Sequence, residues 1–134
     1  MTRPILHLSL PVRDLDAAVD FYRGVFGARV GRTNRRWTDV DFFGAQLTLQ
    51  LDPEHVPEDP GSRHFGVTLP WAEWEALGAD IRDRGVSTLD GPTVSLEGTD
   101  REQGKLYLAD PSGNVIELKA YRRPDLVLGA VWTQ

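Results

Sequence analysis

One order of elements runs twice along this chain: a strand, a helix packed onto it, a short strand, then a hairpin. No single motif constrains the fold as much. A β-α-β-β-β unit covers one face of its sheet with its own helix and leaves the other face open. In the first half, alternation over Ile5–Val12 sets Leu6, Leu8 and Leu10 against Ile5, His7, Ser9 and Pro11. Asp14 is placed to cap a helix over Leu15–Phe26, whose Leu15, Ala18, Val19, Tyr22 and Phe26 form an apolar stripe that Gly27 closes. Strands follow over Ala28–Thr33, Trp37–Phe43 and Gln46–Leu51.

The second half repeats the order. The pattern predicts a strand over Arg63–Leu69, then a helix from Pro70 to about Arg84 with Trp74, Leu77 and Ile81 inward. A short strand is expected over Val86–Leu89, followed by a polar loop from Gly91 to Gly104, long enough for a lid or specificity loop. A closing hairpin pairs Lys105–Ala109 with Asn114–Tyr121 across an Asp-Pro-Ser-Gly-Asn turn. The expected fold class is α+β: two tandem βαβββ modules forming curved mixed sheets around a metal-binding cleft. Module 1 spans about 4–52, a Pro-rich linker about 53–62, module 2 about 63–123 and a tail 124–134. The tail's Leu126, Val127, Leu128, Val131 and Trp132 are expected to pack on the chain itself or on a partner.

At 134 residues the chain is most simply one domain. It contains no cysteine, which removes disulfides, thiolate metal sites and cysteine nucleophiles. A net charge of −5 argues against a nucleic-acid surface. No apolar run approaches the roughly 18 residues of a membrane span, so a cytoplasmic protein without membrane or nucleic-acid partners is expected. The glycines form no dinucleotide or phosphate-loop pattern, and Ser9 and Ser112 lack a credible base.

The chemistry lies in matched positions. His7 and His64 sit on the first strands of the two halves, and Gln50 and Glu117 on the last. If the halves are related by a pseudo-twofold axis, two imidazoles and one carboxylate converge as a facial triad with open positions, which suits Fe(II). Gln50 can add a fourth ligand through its amide oxygen or support the ligands by hydrogen bonding. Tyr107, on the hairpin beside Glu117, can reach a substrate oxygen as donor or acid. His55 lies in the acidic linker and reads as solvent-exposed.

These motifs resemble the vicinal oxygen chelate superfamily, which includes glyoxalase I, methylmalonyl-CoA epimerase, extradiol dioxygenases and bleomycin and fosfomycin resistance proteins. The resemblance is carried by Leu6-His7-Leu8, Pro11-Val12-Arg13-Asp14-Leu15, Phe21-Tyr22, His64-Phe65-Gly66-Val67 and Asp110-Pro111-Ser112-Gly113-Asn114 leading to Glu117. It covers about residues 4–123. Asp41-Phe42-Phe43-Gly44, Leu69-Pro70-Trp71 and Glu117-Leu118-Lys119-Ala120-Tyr121-Arg122 are similar to a branch of small predicted extradiol-type dioxygenases. The resemblance implies a divalent metal held by His7, His64 and Glu117, and a substrate chelated through neighbouring oxygens.

Three functions follow as expectations. The first is an Fe(II) extradiol-type dioxygenase on a small vicinal-oxygen substrate, with Tyr107 assisting proton movement. The second is a glyoxalase- or epimerase-like isomerase or lyase using Ni, Co, Zn or Mn to stabilise an enediolate, with Glu117 as base. Glyoxalase I carries a glutamate at the position of Gln50 and the epimerase a glutamine, so the amide favours the epimerase form of this reading. The third is a metal-free protein that binds a small molecule or antibiotic. A homodimer is expected, with modules paired within one chain or exchanged between two.

Overall fold

The computed structural model describes residues 3–129, and they form two compact units. Of these, residues 3–63 and 109–115 form unit 1, and residues 64–108 and 116–129 form unit 2. In unit 1, β1 (His7–Val12), α1 (Leu15–Phe26), β2 (Arg29–Thr33), β3 (Trp37–Phe42) and β4 (Ala45–Leu51) follow in order. The sheet order is β1-β4-β3-β2, with β1 parallel to β4 and the other pairs antiparallel. Asp14 caps α1 by accepting from the Ala17 amide at 3.0 Å, and Gly27 ends it in the left-handed conformation. Ala18, Tyr22 and Val25 are buried on the helix, and Val12, Val40, Phe42, Leu47 and Leu49 are buried on the strands. The rings of Tyr22, Phe26, Phe42 and Phe43 meet edge to face or tilted.

Unit 1 includes the 109–115 turn. The buried Tyr22 hydroxyl donates to Asp110 Oδ2 at 2.9 Å. Asp110 Oδ1 accepts from the Ser112 and Asn114 amides, each at 2.9 Å. Ser112 Oγ accepts from the Arg13 amide at 2.8 Å, so this serine is structural. Burial first, then the charge of Asp110, raises the Tyr22 phenol well above its ordinary pKa.

Unit 2 holds β5 (Phe65–Thr68), α2 (Trp71–Asp83), β6 (Asp90–Ser95), β7 (Gln103–Ala109), β8 (Val115–Tyr121) and α3 (Asp125–Leu128). The order β5-β8-β7-β6, with β5 parallel to β8, matches that of unit 1. Trp74 and Ile81 of α2 are buried, as are Leu106, Leu108, Ile116, Leu118 and Ala120 of the sheet. The Trp74 indole N–H donates to the Leu118 carbonyl at 2.9 Å.

Two expectations need correction. Val86–Leu89 forms no strand; the edge strand is Asp90–Ser95, which starts one residue before the expected loop and runs into it. Gly91-Pro92 reads as punctuation, yet here it forms an irregularity between Asp90 and Thr93 on an edge strand, where a missing N–H is tolerated. Gly91 has φ +86°, and a Cβ there would lie 2.6 Å from the Lys105 carbonyl oxygen, so only glycine fits. In the tail, Leu126, Val127 and Leu128 are exposed, while Val131 and Trp132 lie outside the described residues. No helix among the described residues is long and apolar enough to cross a membrane.

Candidate functional site

Alternation and register divide each sheet into an apolar face under its helix and a polar face. In unit 1 the polar face carries His7, Ser9 and Pro11 of β1, Gln46, Thr48 and Gln50 of β4, and Trp37, Asp39 and Asp41 of β3, in register. His7 is exposed, and its Nδ1 lies 3.1 Å from the Gln46 carbonyl oxygen. A carbonyl only accepts, so Nδ1 is the donor in this bond and Nε2 is not engaged in it. The Gln50 amide nitrogen donates to Ser9 Oγ, which leaves its Oε1 as the acceptor. Trp37 stands on this face with the Arg32 guanidinium 5.0 Å above its ring, whereas Phe42 is core.

Asp39 was not anticipated. It is buried at 7% exposure and fully engaged, accepting from Thr48 Oγ1 at 2.6 Å, Arg32 Nε at 3.0 Å and the Gln46 amide at 3.2 Å. Burial pushes its carboxyl up, but the bonds from Thr48, Arg32 and Gln46 and the charge of Arg32 outweigh this and hold it below its ordinary pKa. Its position in the alternation, facing away from Val40, was the available signal.

In unit 2, Glu117 lies on β8, an interior strand between β5 and β7. It is 4% exposed, so although it lies on the polar face it does not face solvent. Its Oε1 is 3.1 Å from His64 Nε2 and 3.9 Å from Lys119 Nζ. Its Oε2 is the sole buried side-chain polar atom among the described residues that lacks a hydrogen-bond partner. The close approach depends on Gly66, which pairs with Glu117. A Cβ on Gly66 would sit 1.7 Å from the Glu117 carbonyl oxygen.

The Tyr107 ring meets the His64 imidazole edge to face at 5.7 Å. Burial first, then the Glu117 carboxylate, raises its phenol above the ordinary tyrosine pKa, so at neutral pH it holds its proton. His55 is exposed and pairs with Asp52 at 2.8 Å, and the bond to that carboxylate raises its pKa.

The structure thus brings His64, Glu117 and Tyr107 together in unit 2, and His7, Ser9 and Gln50 onto one face in unit 1. Within each unit taken alone, no three His, Asp or Glu side chains among the described residues gather around one point. The donor chemistry at Glu117 fits a divalent cation. A carboxylate oxygen buried without a partner costs about 1–3 kcal/mol or more, and a cation there would remove that cost. His64 could supply a neutral nitrogen beside it.

Comparison with known proteins agrees with the architecture. The family model described as the Glyoxalase/Bleomycin resistance protein/Dioxygenase superfamily matches residues 4–118. Virulence protein STM3117 of Salmonella typhimurium is 30% identical over 125 residues, covering 86% of this chain and 82% of that one. The catechol-2,3-dioxygenase of Bacillus subtilis is also 30% identical over 125 residues, covering 87% of this chain but 41% of its own. A solved glyoxalase/bleomycin resistance protein/dioxygenase from Alicyclobacillus acidocaldarius superposes with a TM-score of 0.80 at 32% identity, covering 89% of this chain and 92% of that one. The duplicated sheet order, the His64–Glu117 pair and the match over 4–118 lead to one assignment: the chain belongs to the Glyoxalase/Bleomycin resistance protein/Dioxygenase superfamily.

Proposed function

We propose that the chain is a metal-dependent enzyme acting on a small substrate with vicinal oxygens, and specifically an extradiol-type dioxygenase. The observation that carries this is the buried Glu117 carboxylate, with Oε2 unpartnered and Oε1 3.1 Å from His64 Nε2. In this reading His64 and Glu117 hold the metal with His7, supplied by the same chain or by a second copy in a homodimer. The relative named catechol-2,3-dioxygenase supports the substrate class. When bound, Fe(II) supplies Lewis acidity that eases ionisation of a substrate hydroxyl and open positions for exogenous ligands.

The protein's residues do the rest. Glu117 contributes the anionic ligand and Gly66 lets it approach His64. The Gln46 carbonyl accepts from His7 Nδ1. Tyr107, protonated at neutral pH, donates a hydrogen bond to a substrate oxygen and can return a proton to it.

Metal analysis after dialysis and oxygen uptake across a catechol panel test the reading. Iron-loaded, anaerobically purified protein should retain stoichiometric metal and consume O2, with Tyr107→Phe slowing turnover about 100-fold. Stoichiometric metal without oxygen uptake on any catechol would remove the dioxygenase. The second reading, an epimerase-like isomerase or lyase, is favoured by Gln50, whose Oε1 is left open by the bond to Ser9. It calls for solvent-deuterium exchange into a 2-oxo or thioester substrate without oxygen, lost in Gln50→Leu.

A further inference from the structure

Of the chain's 15 Lys and Arg residues only two are lysines, Lys105 and Lys119. Both fall on the polar face of the unit 2 sheet, opposite the buried Leu106 and Leu118. Two backbone bonds bracket the β7–β8 hairpin, Asp110 N–H to the Asn114 carbonyl at 2.9 Å and Arg122 N–H to the Glu102 carbonyl at 3.1 Å. The two strands contribute equal numbers of residues between these bonds, so Tyr107 lies opposite Glu117 and Lys105 opposite Lys119. The outer strands extend the row, because Thr93 of β6 pairs with Lys105 and Thr68 of β5 pairs with Lys119. Thr93, Lys105, Lys119 and Thr68 therefore cross the sheet side by side, one pleat repeat from Tyr107 and Glu117.

Like charges directly opposite on paired strands destabilise a sheet. Nothing within the described residues relieves Lys105, which makes no ion pair there. Lys119 reaches Glu117 Oε1 only at 3.9 Å, while His64 is nearer at 3.1 Å, and the ammonium also lies 5.2 Å over the Tyr121 ring. Two compact point charges between two hydroxyls form a receptor for an anion. We propose that Lys105 and Lys119, flanked by Thr93 and Thr68, are an anion subsite. The substrate then carries a carboxylate, phosphate or phosphonate about 7 Å from the oxygens that approach Glu117, one two-residue step along the strand. That distance to the chelating oxygens rests on the proposed metal centre, whereas the anion subsite stands on unit 2 alone.

Calorimetric titration of the full chain with inorganic phosphate, without added metal and at low salt, tests the subsite. Saturable binding is expected, weakened at least about tenfold in Lys105→Gln and in Lys119→Gln, and retained in the matching Arg variants. Glu117→Gln should keep or tighten phosphate binding while losing metal, which separates this inference from the metal reading. No saturable binding, equal affinity in the Gln variants, or equal loss in the Gln and Arg variants would overturn the subsite. With metal added, 3,4-dihydroxyphenylacetate should bind at least about tenfold more tightly than catechol, and Lys119→Gln should erase the difference. Equal affinity for the two would overturn the placement of the anion beside the chelating oxygens.

Discussion

Asp39 in unit 1 and Glu117 in unit 2 are both buried carboxylates on the polar face of a four-stranded sheet, with 7% and 4% exposure. Asp39 is saturated by Thr48, Arg32 and Gln46, whereas Glu117 keeps an oxygen with no partner. Burial alone therefore does not mark a functional carboxylate. The first is a cross-strand tie that holds β3 to β2 and β4. The second keeps a buried oxygen without a partner, and the proposed metal centre rests on that oxygen.

Four substitutions probe that contrast, and the largest effect is expected at Gly66. Gly66→Ala drives a Cβ into the Glu117 carbonyl and should cost about 3 kcal/mol or more in denaturant unfolding. A near-neutral result would mean that β5 can move away and that the His64–Glu117 distance is soft. Next is Glu117→Gln, which should weaken metal retention by more than about 100-fold and abolish the rise in Tm that added metal gives the native protein. Asp39→Asn should leave metal binding unchanged in the same assay, and equal loss in both would erase the distinction.

Tyr22→Phe comes third. It removes the donor to the buried Asp110 and should destabilise by about 1.5–3 kcal/mol, read from urea midpoints, without altering metal content. The smallest effect is the pH dependence of Asp39. Its folded pKa lies below the ordinary carboxylate value, so its stabilisation is present above that value and lost as pH falls through the folded pKa. The stability gap between native protein and Asp39→Asn should therefore narrow as pH falls through and below the ordinary carboxylate range.

Much of the fold was legible because local rules agreed with one another. Asp14, the Leu15–Phe26 stripe and Gly27 delimit α1 without tertiary information. β6 was not legible, since Gly91-Pro92 breaks a strand everywhere except at an irregular edge. Matched positions in the repeat singled out His7, His64, Gln50 and Glu117, and Tyr107 was read from its place on the hairpin beside Glu117, although His64 falls one residue before β5. The orphaned oxygen of Glu117 did not show, because it depends on how closely β5 approaches β8 at Gly66. The pairing of Lys105 with Lys119 was equally hidden, as alternation assigns a face but register requires the turn geometry.

The 109–115 turn bears on how the gene could be divided. A cut in the Pro-rich linker would strip the N-terminal product of Asp110, Ser112 and Asn114, which Tyr22, Arg13 and Pro11 bond inside unit 1. That product would carry a buried phenol without its acceptor and an open edge where the turn belongs. Split reporters or domain fusions built at the linker would then behave as obligate complementing fragments. A break within the exposed 96–101 bend would divide the same pairs, since Tyr22 and Asp110 lie on either side of it.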